Sequence, residues 1–190
     1  ANSSFVNQIV DEDVAPETVA RDPFEAIHDD TPRLTTGPNL FQPERRNSMG
    51  FDLSHQPTLD AIDAARDPFA APHRWKAAPL LAGKSAPQAP EPVNNPADPA
   101  DSPGTVAFAS EADVNTALDA AHPWDAPASE RAAVLNKVAD LYEENFGEIF
   151  AIVHREAGKM VMDAVAELRE AVDFLRYYAG EGEKRDAPAR

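Results

Sequence analysis

The stretch HREAGKMVMDAVAELREAVDFLRYYA, residues 154–179, decides the fold of this chain of 190 residues. It predicts that one helix ends near Glu156, that the chain turns through residues 157–159, and that a second helix follows. Gly158 marks the turn, because glycine at a helix C-terminus accepts the left-handed conformation that other residues avoid. We therefore expect two helices joined by a tight turn at this end of the chain.

The second of these helices carries apolar residues on two sides. Its main stripe keeps helical spacing and comprises Val161, Ala164, Val165, Leu168, Val172, Leu175 and Ala179. Glu170, Phe174 and Tyr177 follow one another at i, i+4 and i+7 on the side away from that stripe. A helix with large apolar groups on both sides is expected to be covered on both sides. Three helices and a hairpin cannot easily cover both sides. We therefore interpret the second side as a surface that contacts polypeptide from outside this chain.

Two further helices are predicted upstream of the turn. Ser110 and Asp113 form a capping-box pattern, which predicts a helix that closes before Pro123. With Ser129 as the next cap, apolar residues keep helical spacing for about 27 residues. One long helix is therefore predicted from Ser129 to Gly158.

The rest of the chain is predicted to be short elements and irregular segments. Residues 93–96 and 104–108 predict a β-hairpin whose turn is 98–104, and brief helices are predicted over 58–67 and 18–27. The chain has 18 prolines, most of them before residue 128, and they exclude long helices from that part. The predicted fold class is mainly α, with one short β-hairpin and long irregular proline-rich segments.

Composition argues against several classes of protein. The net charge is −16 and no lysine or arginine cluster is present, which argues against nucleic acid as a partner. No stretch approaches the roughly 20 apolar residues that cross a bilayer, and the first residues lack the pattern of a secretory signal. The chain has no cysteine, so it holds no disulfide, thiolate metal site or thiol nucleophile. The expectation is a cytoplasmic protein without a transmembrane segment.

The motifs do not add up to a catalytic set. The Gly-Lys pairs at 83–84 and 158–159 lack the glycine that a phosphate loop places five residues earlier. The histidines show no metal-ligand spacing, and no G-x-S-x-G elbow is present. Arg45 and Arg46 beside Glu44 could bind an anion, but two arginines in a polar loop are more often solvated, and we interpret them so. The residues alone therefore predict no catalytic, cofactor-binding or metal-binding residue in this chain.

Residues 93–180 resemble the opening of the aldehyde dehydrogenase superfamily. The pieces that carry the resemblance are Asn95-Pro96, Gly104-Thr105-Val106, the Ser110 to Asp113 cap, Trp124, Glu130-Arg131 with Leu135, Glu156-Ala157-Gly158-Lys159 and Tyr177-Tyr178-Ala179-Gly180. Their order and spacing make the resemblance strong, although no single piece is specific. It implies that the fold is the incomplete N-terminal part of an α/β aldehyde dehydrogenase.

The first 85 residues narrow the resemblance to the bifunctional proline utilisation A family. The segments ANSSFVNQIVDEDV, PERRNSMGFDL and DPFAAPHRWKAAPLLAGK are similar to the passage that joins the two enzymes of that family. The resemblance implies a parent that oxidises proline to glutamate, with an FAD-dependent proline dehydrogenase followed by an NAD-dependent L-glutamate γ-semialdehyde dehydrogenase. It implies that residues 1–30 are the tail of the proline dehydrogenase region and that 31–90 are the connector. Residues 91–190 are then the hairpin and helices that begin the NAD-binding domain.

The same resemblance places the chemistry outside this chain. The family's cysteine nucleophile, glutamate base, asparagine oxyanion donor and nucleotide-binding sheet lie beyond the last residue. The flavin-binding strands lie at or before residue 1. The chain alone is therefore expected to be inert and to bind neither NAD nor FAD. Its expected partners are the remainder of the parent polypeptide and, in the parent, a possible homo-oligomer.

Glu170 is the one residue that the resemblance assigns to a substrate. Glutamate-semialdehyde dehydrogenases can carry a glutamate on the corresponding helix, where it faces the ammonium group of the substrate. A carboxylate there selects an amino-acid aldehyde over a plain one by charge pairing. The alternative is an ordinary exposed glutamate on a helix surface.

Two other interpretations of the whole chain remain open. One is a stand-alone acidic helical interaction module that docks on a partner protein. The other is a truncated or degenerate gene product without activity. The absence of an initiator methionine fits a segment of something longer.

Overall fold

The computed structural model describes residues 9–26, 35–82 and 88–186. The chain divides into two compact units, Ala1–Thr35 and Thr36–Arg190. In the first unit, the helices α1 (Pro16–Val19) and α2 (Pro23–Ala26) are single turns that each begin with proline. The predicted helix over 18–27 is therefore wrong in its bounds, because Pro23 starts a new turn; Ile27 itself lies outside the described residues.

The second unit is mainly helical and holds one small sheet. Its elements are α3 (Gln56–Arg66), β1 (Trp75–Ala77), β2 (Glu91–Val93), β3 (Gly104–Val106), α4 (Glu111–Asp119), α5 (Ala128–Glu144), α6 (Phe146–Ala157) and α7 (Val161–Asp186), with 3-10 turns at Gly37–Asn39 and Asp67–Phe69. This architecture confirms the predicted fold class. The brief helix expected over 58–67 is α3.

The sheet has three short strands in the order β1-β3-β2. Strands β2 and β3 pair antiparallel with Val93 opposite Gly104, which confirms the predicted hairpin. Strand β1 pairs parallel with β3 and places Trp75 opposite Gly104. The sequence did not indicate β1, because three residues are too few for a period-2 pattern.

The N-terminus of α4 has the predicted capping box. The Ser110 hydroxyl accepts a hydrogen bond from the Asp113 N–H at 3.2 Å, and the Asp113 carboxylate accepts one from the Ser110 N–H at 2.8 Å. The cap predicted at Ser129 is wrong. Helix α5 begins at Ala128, and the carbonyl of Pro127 accepts the N–H of Glu130 at 3.0 Å.

The single helix predicted from 129 to 158 is also wrong, because it breaks at Asn145. Asn145 has φ −107° and ψ 25°, and its side-chain amide donates to the Leu141 carbonyl at 2.8 Å. An asparagine side chain that bonds to backbone in this way competes with the helical hydrogen bonds. After the break, Gly147 lies so close to α3 that a Cβ atom on it would be 2.3 Å from the Ala65 carbonyl oxygen. The break thus lets α6 pack closely on α3.

The turn between α6 and α7 confirms the role predicted for Gly158. Its φ is 66°, in the left-handed region, and its N–H donates to the His154 carbonyl at 3.0 Å. A Cβ atom here would lie 2.8 Å from Cγ of Pro96. The turn therefore contacts the segment that follows β2.

The hydrophobic core lies between α3, α5, α6 and α7. Its buried residues are Ile62, Ala139, Phe150, Ala164, Val165, Leu168 and Val172, and Phe51, Leu53, Phe146, Ile149, Val153, Val161 and Leu175 pack against them. The main stripe predicted for α7 faces this core and is confirmed. The helix continues past Ala179 to Asp186.

Within the described ranges, no helix has the length and hydropathy that crossing a bilayer requires. The same residues contain no group of three or more histidine or acidic side chains placed to hold a metal ion.

Candidate functional site

Helix α7 exposes three aromatic rings on the side away from the core. Phe174, Tyr177 and Tyr178 are 52%, 46% and 60% exposed. The ring centroids of Phe174 and Tyr178 are 6.0 Å apart, and those of Tyr177 and Tyr178 are 5.2 Å apart. We call these three residues the aromatic face. They form one apolar surface, because the rings contact one another along the helix.

Glu170 lies one helical turn before Phe174, at the N-terminal edge of the aromatic face. It is exposed, and it forms no hydrogen bond or ion pair with any described residue. Glu167, on the same helix, is instead paired with Lys159. A free carboxylate beside aromatic rings has the chemistry to bind an ammonium group, through the charge and through the ring faces. The substrate role of Glu170 stays a prediction.

Asp173, a further acidic residue beside the aromatic face, is already engaged. Its Oδ1 accepts from Arg45 Nη1 at 2.8 Å and from the Ser48 N–H at 2.9 Å, and its Oδ2 accepts from Ser48 Oγ at 2.7 Å. The guanidinium of Arg45 also lies 4.0 Å from the ring centroid of Phe41. The interpretation of Arg45 as a solvated loop residue is therefore wrong.

A buried arginine joins the same irregular segment to two helices. Arg176 donates to Glu143 Oε2 at 2.7 Å, to Asp140 Oδ1 at 2.9 Å and to the Asn47 carbonyl at 3.2 Å. The Met49 N–H donates to Glu143 Oε1 at 2.6 Å. Burial is the largest single effect on the pKa of Arg176 and lowers it, but the hydrogen bonds and charge attraction of Glu143 and Asp140 together raise the pKa above its ordinary value. We call this group the Arg176 cluster; it holds Asn47 and Met49 against α5 and α7.

A second buried arginine ties α6 to the hairpin turn. The guanidinium of Arg155 donates to both oxygens of Asp101, at 2.9 and 2.7 Å, and to the carbonyls of Phe69 and His73 at 2.9 and 2.8 Å. The hydrogen bond from Arg155, and then the one from Asn95, lower the pKa of Asp101 to about 2. We call this group the Arg155 cluster. One side chain thus donates to four acceptor atoms. These hydrogen bonds fix α6, the hairpin turn and residues 69–73 relative to one another.

Sequence reasoning missed both clusters, although a signal was present. Arg176 interrupts the apolar stripe of α7, since it lies four residues after Val172 and three residues before Ala179. Arg155 likewise follows the buried Ala151 by one turn of α6. A charged residue on a buried face requires a partner. The sequence does not say where that partner lies.

Comparison with known proteins defines the family. The profile of the Aldehyde dehydrogenase family matches residues 83–189, which is more than half of the chain. The chain belongs to the aldehyde dehydrogenase family.

More specific similarities extend over nearly the whole chain. The bifunctional protein PutA of Klebsiella aerogenes is 38% identical over 196 residues, an alignment that covers 95% of this chain and 15% of that protein. A crystal structure of a bifunctional proline utilization A (PutA) protein matches with a TM-score of 0.58 and 32% identity, over 97% of this chain and 17% of that one. The resemblance to bifunctional proline utilisation A is confirmed. The chain spans about a sixth of the PutA proteins that it matches.

A separate match concerns the dehydrogenase half. The crystal structure of 1-pyrroline-5-carboxylate dehydrogenase from Thermus with bound NAD has a TM-score of 0.63 and 26% identity, over 73% of this chain and 28% of that one. The fold is therefore part of an α/β aldehyde dehydrogenase fold. In the described ranges, however, no strand leads through a glycine-rich turn into a helix, which is the geometry that holds a dinucleotide pyrophosphate. The described residues therefore do not offer this pyrophosphate-binding geometry.

Proposed function

We propose that this chain is a segment of a bifunctional proline catabolic enzyme that oxidises proline to glutamate. The parent would pair an FAD-dependent proline dehydrogenase with an NAD-dependent L-glutamate γ-semialdehyde dehydrogenase. One observation carries the proposal: the similarity to PutA covers 95% of the chain, whereas the aldehyde dehydrogenase match begins only at residue 83. Most of the first 82 residues, about two fifths of the chain, are thus similar to PutA without being part of the family match.

In this proposal, residues 1–30 are the tail of the proline dehydrogenase region, residues 31–90 are the connector, and residues 91–190 begin the NAD-binding domain. The packing of the second compact unit supports an integral connector. The Arg176 cluster and Asp173 hold residues 45–49 against helices of the dehydrogenase part. A connector held in this way has a defined position relative to the helices instead of being a free tether.

The chain alone is proposed to be inert. Oxidation of an aldehyde through a covalent intermediate requires an activated thiolate, and this sequence has no cysteine. NAD, FAD and the nucleophile then belong to the remainder of the parent polypeptide, which is the proposed partner of the aromatic face. We propose that the parent is cytoplasmic.

The first experiment tests whether the enzymatic activity requires sequence beyond Arg190. The DNA that follows the codon of Arg190 is sequenced, and the extended polypeptide is assayed for NADH formation with L-glutamate γ-semialdehyde and NAD. We expect an in-frame continuation with a nucleotide-binding sheet and a cysteine-bearing loop, activity in the extended polypeptide, and none in the 190-residue chain. An in-frame extension that forms no NADH contradicts the proposal, and so does activity of the chain alone.

Glu170 is proposed to bind the ammonium group of the semialdehyde. In the extended polypeptide, Glu170→Gln is expected to lower kcat/KM for L-glutamate γ-semialdehyde by about tenfold or more, because it removes a charge-assisted contact. The kcat/KM for propionaldehyde, which has no ammonium group, should change little. Glu167→Gln is the matched control, since Glu167 lies on the same helix and already pairs with Lys159. Equal losses on both aldehydes would exclude the assignment.

The aromatic face also favours a second candidate, a stand-alone acidic helical module that docks on a partner protein. Three rings about half exposed on one helix form a surface of the kind that interfaces use. This candidate predicts that the chain ends its reading frame at Arg190 and unfolds in one sharp, cooperative transition. An in-frame continuation into a nucleotide-binding sheet excludes it.

A further inference from the structure

The small sheet has two outer edges, and the two differ in their capacity to pair with another strand. Strands β1 and β2 form these edges, because the strand order is β1-β3-β2. Backbone N–H and C=O groups that point away from the neighbouring strand can hydrogen-bond to a further strand. The direction and the number of these groups therefore decide where a partner can add.

Proline closes the outer edge of β2. Pro92 lies in the middle of this strand, Glu91–Val93, and Pro90 lies two residues earlier, in phase with it. Proline has no N–H to donate and is tolerated in a strand where its nitrogen faces away from the ladder. The outer edge of β2 thus lacks two of the donors that a further strand requires.

The outer edge of β1 keeps its donors and acceptors. The Trp75 N–H and the Ala77 carbonyl both bond to the chain at β3, each at 2.9 Å. Because successive residues of a strand present their backbone groups to opposite sides, Lys76 and Ala78 present theirs away from β3. No described residue outside β3 bonds to the backbone of Lys76 or Ala78. This edge is therefore open to strand addition.

The first face of β1 is cationic. Arg74 and Lys76 lie two residues apart, so their side chains share one face of the sheet, and both are exposed. Lys76 forms no hydrogen bond or ion pair with any described side chain. An added strand that presents carboxylates on this face would gain favourable cross-strand pairs.

The opposite face of β1 is apolar. Trp75 and Ala77 line a groove of about 200 Å³ there, together with Val93, Val106 and Phe108. The Phe108 ring is 53% exposed. Since the side chains of a strand alternate between the two faces, an added strand would place every second side chain against this groove. The complementary sequence therefore alternates acidic with apolar residues.

We propose that the outer edge of β1 binds an extended segment of a separate polypeptide in which acidic and apolar residues alternate. Main-chain hydrogen bonds to Lys76 and Ala78 hold the segment, and ion pairs with Arg74 and Lys76 select it. A second copy of this chain is disfavoured, because antiparallel pairing of two β1 strands about Lys76 places two like charges opposite each other. This edge is separate from the aromatic face and from Glu170, to which the proposed enzymatic function is assigned.

The test titrates the 190-residue chain with two blocked peptides, acetyl-Glu-Val-Glu-Val-Glu-amide and acetyl-Lys-Val-Lys-Val-Lys-amide. Binding is followed by NMR at the backbone amides of Lys76 and Ala78, with Asn94 beside β2 as the reference. We expect saturable shifts at Lys76 and Ala78 with the glutamate peptide, at least about tenfold weaker binding of the lysine peptide at these amides, and no shift at Asn94. The net charge of −16 opposes the glutamate peptide, so its binding reports the local edge. Equal affinities of the two peptides at these amides, or the absence of saturation, overturns the proposal.

Methylated peptides separate strand addition from charge attraction alone. One glutamate peptide is N-methylated at its valines and another at its glutamates. A strand directs the N–H groups of alternate residues to the same edge, so only one of these sets faces β1. One methylated peptide should therefore bind at least about tenfold more weakly, while the other keeps its affinity. Equal effects in the two methylated peptides contradict strand addition.

A charge reversal tests the selecting side chain. Lys76→Glu should reverse the preference, so that the lysine peptide binds at the Ala78 amide at least about tenfold more tightly than the glutamate peptide. Lys137→Glu is the matched control, since Lys137 is 63% exposed on α5, and this variant should keep the preference for the glutamate peptide. A reversal in Lys137→Glu equal to that in Lys76→Glu contradicts the assignment.

Two further measurements identify the occupant. The extended polypeptide should bind the glutamate peptide as the 190-residue chain does. Absence of binding there would mean that the remainder of the parent covers β1, and it would overturn the proposal of a separate partner. Shifts at the Lys76 amide that depend on the concentration of the chain alone would identify a second copy as the occupant and would overturn it equally.

Discussion

The two faces of α7 differ sharply in what covers them. On one face, Leu168 and Val172 are 1% and 0% exposed, and Arg176 is enclosed by carboxylates of α5. On the other, the aromatic face leaves its rings about half exposed and Glu170 without a partner among the described residues. Both faces carry large apolar side chains in the sequence. The difference shows that the described residues cover one face of this helix and leave the other about half exposed; the covering of the second face by the remainder of the parent stays a proposal.

The largest expected effect is on the covered face. Leu168→Ala removes a fully buried side chain and should lower the free energy of unfolding by about 3–5 kcal/mol, because it leaves a cavity between α5, α6 and α7. Urea unfolding of the 190-residue chain, followed by circular dichroism, measures the change. A loss below about 1 kcal/mol would mean that this face is not packed as described.

A somewhat smaller effect is expected from the buried arginine. Arg176→Met keeps the length of the side chain but leaves Glu143, whose side chain is 9% exposed, without its cation. Removing one partner of a buried ion pair typically costs about 3 kcal/mol. The matched control is Arg185→Met, an exposed position on the same helix, for which the change should stay within about 0.5 kcal/mol. Similar losses in the two variants would show that the Arg176 cluster contributes nothing specific.

The contribution of the Asp101–Arg155 interaction to the free energy of unfolding can be tested through its dependence on pH. The folded-state pKa of Asp101 is lowered to about 2 from 3.8. Its contribution to stability is therefore complete above the unfolded pKa and is lost as the pH falls from about 4 through 2. Between pH 5 and 2, the unfolding midpoint of Asp101→Asn should fall less steeply than that of the unaltered chain. Parallel pH profiles would show that Asp101 does not gain this interaction on folding.

The smallest expected effect is on the open face. Phe174→Ala should change the free energy of unfolding of this chain by about 0.5 kcal/mol or less, because the ring is already half exposed. In the extended polypeptide the same substitution should cost about 3 kcal/mol if the ring becomes buried there. The measurement is the urea midpoint of both forms. Equal and small effects in the two forms would mean that the aromatic face stays uncovered.

The parts of the fold that the sequence predicted are those set by neighbouring residues. The stripe of α7, the left-handed Gly158, the capping box of Ser110 and the hairpin each depend on residues a few positions apart. Local patterns of this kind are readable because helix and strand periods repeat within one element.

The parts that the sequence did not predict depend on distant residues. Arg176 meets the Asn47 carbonyl across 129 positions, and Arg155 meets Asp101 across 54. The break at Asn145 belongs to the same class, since Gly147 makes its close approach to Ala65 on another helix. The exposure of Glu170 is consistent with its place on the helix, whereas its proposed role rests on family resemblance.

The contacts of residues 45–53 show that the start of the family match does not coincide with the start of the packed core in this protein. A domain trimmed to the aldehyde dehydrogenase match would start at residue 83. It would lack Ile62 and Phe51 from its interior, and Arg45 and Ser48, which donate hydrogen bonds to Asp173. Such a domain would carry the family signature but expose the surface against which its own upstream sequence normally folds. Truncation at residue 83 therefore removes part of the packed core along with the upstream segment.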